Sequence, residues 1–281
     1  MTKAYTPKTL EQLPECLAQL TENSRILGGG TDLIIRLHSG MVQPDALCYL
    51  GHISELHQVE RHENECSIGA CCTMTALEHN PLVKEFFPAL ADAASDVGSL
   101  QIRNNGTIGG NVGNASPAGD LIPVLYLYDA QVEVAGPTGN RRISITEIIQ
   151  RPGRLNLNTG EAIIRFWLPI PDFSSAFVKL GSRKKVTISR IGVALGLRLE
   201  QDHVVQMKLV VGAIAPKPVV FENAAEFMLG KTINEPNVLH IAQLLSDHIA
   251  ATVAAEFDRD YKVYASRGVV TDVFEKLLTR V

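Results

Sequence analysis

Two glycine-rich turns carry the residue types best suited to hold a charged ligand: Gly28-Gly29-Gly30-Thr31-Asp32 and, about eighty residues on, Thr107-Ile108-Gly109-Gly110-Asn111. The second runs on through Asn114 and Ser116 to Asp120. Glycine reaches positive φ and leaves no Cβ between a backbone N–H and a ligand, which is what a diphosphate needs from a protein surface. Either run taken alone is compatible with nothing more than a tight turn. The flanks add the rest. Thr31, Thr107, Asn111, Asn114 and Ser116 supply hydroxyl and amide groups, and the carboxylates of Asp32 and Asp120 suit ribose or ribityl hydroxyls rather than phosphates. That inventory fits a dinucleotide cofactor, a diphosphate between two polyhydroxylated arms. The spacing GxGxxG is missing, because Gly30 is followed by Thr31-Asp32-Leu33, and this disfavours a Rossmann-type nicotinamide site at the first turn.

No set of acid, base and nucleophile accompanies the turns. GxSxG, HExxH and GxxxxGK[ST] are all absent. His52, His57 and His62 recur every five residues, the period of neither helix nor strand, and read as solvated loop residues. Cys16, Cys48, Cys66, Cys71 and Cys72 form no CxxC pair, so a disulfide framework, a zinc site and an iron-sulfur cluster all lack the spacing they require. They read as small apolar side chains buried on strands. A net charge of −4 with scattered Lys and Arg leaves no basic stripe for nucleic acid. Met1 to Leu10 has no apolar signal core, and no run of about 18 apolar residues follows, so a soluble, cytoplasmic protein without a membrane span is expected.

The elements that must position the turns follow from periodicity. Leu10, Leu13, Leu17 and Leu20 recur at helical spacing behind Thr9, with Pro14 placed to kink or delay that helix. Arg25 to Leu27 reads as a strand delivering the first turn, Thr31 to Leu37 as the opening of a helix, and Leu47 to Leu50 and Ser67 to Ala70 as further strands. Pro88 to Val97 is a predicted helix stopped by Gly98, and Leu121 to Leu127 a second, starting at Asp120. Gln131 to Ile145 predicts a hairpin around Gly136-Pro137-Thr138-Gly139, and Ala162 to Leu168 a buried strand. Beyond Pro169-Ile170-Pro171-Asp172, the predicted domain boundary, Ala176 to Leu180, Gly192 to Leu199 and Val204 to Val211 predict a three-stranded antiparallel sheet. Helices over Asn223 to Leu229, Val238 to Ala250 and Tyr261 to Leu278 complete the chain.

Three stretches also carry a family resemblance: Ile26-Leu27-Gly28-Gly29-Gly30-Thr31-Asp32-Leu33, the run from Gly98 through Asn104-Asn105-Gly106 to Asn111, and Ala115-Ser116-Pro117-Ala118-Gly119-Asp120. They resemble the FAD-binding (medium) subunit of xanthine dehydrogenase-type molybdenum hydroxylases, whose relatives act on xanthine, nicotinate or carbon monoxide. Ala176-Phe177-Val178-Lys179-Leu180-Gly181-Ser182-Arg183-Lys184 and the final helix extend the likeness over essentially the whole chain. The resemblance implies an α+β fold: a two-subdomain FAD-binding domain of the vanillyl-alcohol oxidase/PCMH type, residues 1–55 and 56–172, followed by a C-terminal flavoprotein domain over 173–281. It implies that Arg25, Ile26, Leu27, Gly28, Gly29, Gly30, Thr31 and Asp32 wrap one side of the diphosphate. Thr107, Ile108, Gly109, Gly110 and Asn111, with Asn114 and Ser116 beyond them, take the other side. Asp120 would bind a polyol or ribose hydroxyl, Ile163 or Ile164 would line the flavin ring, and Lys179 would lie near it.

A β-branched residue at Gly109 is then expected to abolish FAD binding in a chain that stays folded. The implied partners are a large molybdopterin subunit and a small [2Fe-2S] subunit, with NAD or another acceptor taking the electrons. No group of this chain need act on the organic substrate. The sequence departs from many relatives at Thr187, where they carry an acidic residue, and at Ser182, where they have Arg. A self-sufficient flavin oxidase of the vanillyl-alcohol type and a nucleotide-binding or assembly module with no redox role are the alternative readings.

Overall fold

Short apolar runs bounded by turn residues become strands through the first half of the chain, and long amphipathic runs become helices at its end. The computed structural model describes residues 2–183 and 186–280; Lys184, which closes the C-terminal segment of the resemblance, lies outside them. Two units are formed, each from three separated stretches. Met1–Leu82, Ser99–Ser116 and Asp129–Ile170 make the first, and Val83–Gly98, Pro117–Tyr128 and Pro171–Val281 the second.

In the first unit a parallel sheet has Ala46–Tyr49 between Lys3–Tyr5 and Arg25–Leu27. The expected leucine helix is short, Leu13–Leu17, and Pro14 sits in its first turn. Proline there opens the helix rather than kinking it, because its missing N–H would have had no intrahelical partner. Leu13 and Leu17 are buried with Cys48, Leu50, Ile53, Leu56, Cys71, Ala135, Ala162 and Ile164. That cluster ties the parallel sheet to a five-stranded antiparallel one, in the order Val59–Arg61, Glu65–Gly69, Ala162–Pro169, Gln131–Gly136, Gly139–Ser144. The hairpin closes through Pro137 and Thr138 between paired Gly136 and Gly139, the latter at φ +135°.

In the second unit the sheet has four strands rather than three: Ser174–Gly181, Ser189–Glu200, His203–Gly212 and a two-residue strand, Val219–Val220. The fourth is too short to show a period of two. Gln201 and Asp202, at φ 49° and 66°, close the long hairpin with the left-handed pair that a right-twisted ladder favours. Helices Glu235–Thr252 and Arg259–Leu278 pack on Ile191, Val193, Leu195 and Leu197. The alternate residues meet the Leu121–Leu127 helix: a Cβ on Gly196 would touch Phe173 and Leu127, and one on Gly212 would touch Pro123. With helices on both faces, the strand from Ser189 is apolar almost without alternation. Asp92 locks the end of the chain, accepting from both Arg280 Nη atoms at 2.9 and 2.7 Å, Lys276 Nζ at 3.0 Å and the Phe177 amide at 3.1 Å.

Candidate functional site

The first glycine turn leaves strand Arg25–Leu27 and enters helix Leu33–His38. Gly30 has φ +73°, a conformation that glycine adopts at no steric cost. Gly29 is demanded by contact instead: a Cβ there would lie 1.7 Å from the Asn105 carbonyl oxygen. A Cβ on Gly28 would reach Thr107 Oγ1 at 3.0 Å, and one on Gly106 would reach Thr31 Oγ1 at 3.4 Å. The two turns are thus in direct contact, though far apart in sequence. Among the described residues no intrachain acceptor is found for the amides of Gly29, Gly30 and Thr31.

The second turn is built differently. It is not only a turn, because Ile108–Asn114 is helical with Thr107 as N-cap, its Oγ1 accepting from the Gly110 amide at 3.0 Å. Ile108 N–H donates to Cys72 O, Gly109 N–H to Ala70 O and Asn111 N–H to Thr107 O. Every amide from 108 to 111 is therefore occupied within the fold, and what remains for a ligand is side chains. Among the described residues Asn111 Oδ1 is buried without a hydrogen-bond partner, a state that costs free energy unless a donor arrives. Gly109 is needed by the fold itself, since a Cβ would sit 2.7 Å from Ala70 O and 2.8 Å from Ala70 Cβ. A β-branched residue there meets Ala70 before any ligand, so it strains the fold as well as the expected cofactor loop.

The other residues of the first unit are placed as follows. Arg25 turns back on its own loop, Nη1 donating to Glu22 O at 3.1 Å and Ser24 O at 2.7 Å. Asp32 is exposed and faces Arg36 at 3.6 Å. Asn114 is exposed at the end of its helix and Ser116 is half-buried just beyond. Ile164 belongs to the hydrophobic cluster, which leaves Ile163 as the buried member of the pair outside it. His52, His57 and His62 are exposed, and burial pushes the thiols of Cys48, Cys71 and Cys72 up to about 12, where they stay protonated and inert. Among the described residues no group of His, Cys, Asp and Glu could hold a metal ion.

In the second unit the structure brings Asp120 and Lys179 together. Lys179 Nζ lies 2.7 Å from Asp120 Oδ2, with the two side chains only 7% and 8% exposed. Lys179 also donates to Thr187 O at 3.3 Å, and Ser189 donates to Asp120 Oδ1. Burial raises the Asp120 carboxyl above the ordinary carboxylate range; the ammonium and the hydroxyl pull it back only in part. Ser189 escaped the sequence reading because nothing in its neighbourhood marks it, and its partner is sixty-nine residues away.

Over residues 1–171 the sequence matches the family described as FAD binding domain in molybdopterin dehydrogenase, and over residues 176–277 the CO dehydrogenase flavoprotein C-terminal domain. It is 32% identical to the nicotinate dehydrogenase FAD-subunit of Eubacterium barkeri, with 98% of this chain and 95% of that protein aligned. It is 30% identical to the glyceraldehyde dehydrogenase medium chain of Sulfolobus acidocaldarius, over 85% of this chain and 86% of that one. Among solved structures, a chain of carbon monoxide dehydrogenase from Hydrogenophaga pseudoflava superimposes with a TM-score of 0.89 at 25% identity, covering 99% of this chain and 98% of that one.

Proposed function

The chain belongs to the FAD-binding subunits of molybdopterin dehydrogenases, an oxidoreductase family, and from that premise we propose that it is the electron-collecting subunit of a multi-subunit molybdenum hydroxylase. It receives electrons from [2Fe-2S] clusters on a small subunit, while a large molybdopterin subunit oxidises the substrate, and it passes them to NAD or another acceptor in the cytoplasm. Among the described residues no helix is long and apolar enough to cross a membrane.

The observation that carries the reading is the donor set of the contacting turns. Three consecutive amides without acceptors among the described residues, at Gly29, Gly30 and Thr31, suit an acceptor-only diphosphate. The orphaned Asn111 Oδ1 suits a ligand hydroxyl, or the amide turned over suits a phosphate oxygen. We assign Arg25 to Asp32 and the segment Thr107 to Asn111, through the side chains of Thr107 and Asn111, with Asn114 and Ser116, to the diphosphate and its sugar arms, within FAD-binding subdomains of residues 1–55 and 56–172. Asp120 is assigned to a polyol hydroxyl, Ile163 to the flavin ring and Lys179 to its neighbourhood. Bound FAD supplies two-electron acceptance and one-electron exchange. The chain's own residues hold it, exclude water and, through Lys179, place a positive charge where negative charge accumulates on reduction. The match over residues 176–277 weighs against a self-sufficient vanillyl-alcohol-type oxidase.

The test is to express the chain, titrate FAD and record the visible spectrum, then add the reduced iron-sulfur partner. Flavin uptake followed by bleaching on contact with the partner is expected. Failure to bind FAD refutes the reading, and FAD that only dithionite reduces refutes the electron-transfer role.

A further inference from the structure

We propose that Ser189 is a positioning residue for the cofactor site: its hydroxyl fixes the Asp120 carboxylate so that Oδ2 holds the Lys179 ammonium in place, and so sets the charge this pair offers a bound flavin. The inference rests on the flavin reading above. Three observations within the second unit carry it.

Asp120 stands at the N-cap of helix Leu121–Leu127, where an aspartate ordinarily accepts from the helix's own first amides, yet its side chain makes no capping bond. Both oxygens are diverted, Oδ1 to Ser189 and Oδ2 to Lys179. A local stabilisation is forgone to hold the lysine.

The strand pairing shows how Ser189 comes to be there. Lys179 pairs with Gly192 and Leu180 with Ile191, but Gly181 pairs with Ser189, so the ladder carries a bulge at Arg190. Without that extra residue Arg190 would stand opposite Gly181, on the face that Lys179 shares, because directly paired residues point the same way. The bulge removes a second cation from beside the ammonium and substitutes a hydroxyl that can serve the carboxylate. Arg190 instead pairs with Asp258 and lies over the Tyr261 ring at 5.6 Å.

Finally, Lys179 gives two of its three N–H bonds to fixed acceptors, Asp120 Oδ2 and Thr187 O. Among the described residues one donor is left for a ligand, and its direction depends on where the carboxylate is held. The charged groups acting on Asp120 are Lys179 and, more weakly, Asp96; Ser189 is the neutral third contact.

The experiment compares Ser189→Thr with Ser189→Val, which have the same shape and differ in the hydroxyl, in the full chain titrated with FAD across pH. Ser189→Val is expected to bind FAD about tenfold more weakly, as for loss of a charge-assisted hydrogen bond. FAD binding should weaken at low pH as Asp120 is protonated, and in Ser189→Val this acid limb should move upward, because Asp120 loses a donor that favours its ionised form. Ser189→Thr should keep both within about twofold, a margin well inside the effect of one such bond. In Asp120→Asn the acid limb should vanish. Equal affinities and pH profiles for the Thr and Val variants overturn the proposal while leaving the flavin reading intact, as does an acid limb that survives in Asp120→Asn. A wild-type chain that takes up no FAD overturns the flavin reading itself.

Discussion

Alanine at position 29 is the sharpest test of the contact between the two turns. Its Cβ would lie 1.7 Å from Asn105 O, 2.6 Å from Asn105 C and 3.2 Å from Gly106 Cα. Carbon and oxygen rest at roughly 3.3 Å or more, so the segments must part by about 1.5 Å. No rotamer can relieve this, since all three obstructing atoms are backbone. The Asn105 side of the contact is also pinned: Gly106 N–H donates to Ile102 O at 2.6 Å, Met74 N–H to Gly106 O at 3.0 Å and Ile108 N–H to Cys72 O at 3.0 Å. Overpacking costs about 1–3 kcal/mol, and stretching one or two of these bonds adds about 1 kcal/mol each. Gly29→Ala should therefore lose about 2–5 kcal/mol in urea unfolding followed by circular dichroism. FAD affinity should fall with it, because the displaced turn carries the free amides. Gly113→Ala is the control: its Cβ would meet nothing within 4 Å, and alanine in a helix should stabilise by about 0.5–1 kcal/mol. A Gly29→Ala chain within about 0.5 kcal/mol of wild type, the range of an ordinary surface substitution, would refute the steric argument.

Gly109→Val should lower the melting temperature of the FAD-free chain, because Ala70 obstructs it; a loss of FAD affinity with unchanged melting would contradict that. Lys179→Met leaves Asp120 buried beside Ser189 alone and should cost about 3–5 kcal/mol in denaturant unfolding. It should also lower the flavin reduction potential, and an unchanged potential would place the lysine away from the ring. Glu161 is held down to about 2 by hydrogen bonds from Arg141. That contribution is full above the ordinary carboxylate range and disappears as pH falls through about 2. Arg141→Met should therefore move acid unfolding to higher pH, read by circular dichroism. Asp92→Asn removes the shared anchor of Arg280 and Lys276 and should weaken hydrogen-exchange protection in Arg259–Leu278.

The sequence revealed most where a single local signal decides an element. Pro88 and Gly98 bracket a helix that runs Pro88–Ser95, with Gly98 at φ +51°. Gly136 and Gly139 frame the hairpin, and the turn after Arg25–Leu27 lies where expected. It was silent where tertiary contact decides. Nothing local marks Gly29 as the seat of Asn105 O, or Ser189 as the partner of Asp120, because each depends on a residue tens of positions away. The Ile108–Asn114 helix was hidden by its composition, since two glycines in its first turn argue against any helix. It forms because Thr107 caps it and Ala70 and Cys72 fix its first amides.

The interleaving of the two units bears on how the chain is made. It passes from one unit to the other five times, after Leu82, Gly98, Ser116, Tyr128 and Ile170. During translation, Leu121–Leu127, buried at all seven positions in the finished protein, emerges before any of the sheet that covers it, which begins at Ser174. The nascent chain therefore carries this apolar segment uncovered for the time it takes to synthesise the C-terminal third, and should be a client for chaperones over that interval. A fragment cut at residue 171, where the first family match ends, would keep that helix without its cover and should aggregate. Co-expressed with the remainder, it should be rescued by fragment complementation, because the cover for Leu121–Leu127 lies beyond the end of the first matched region.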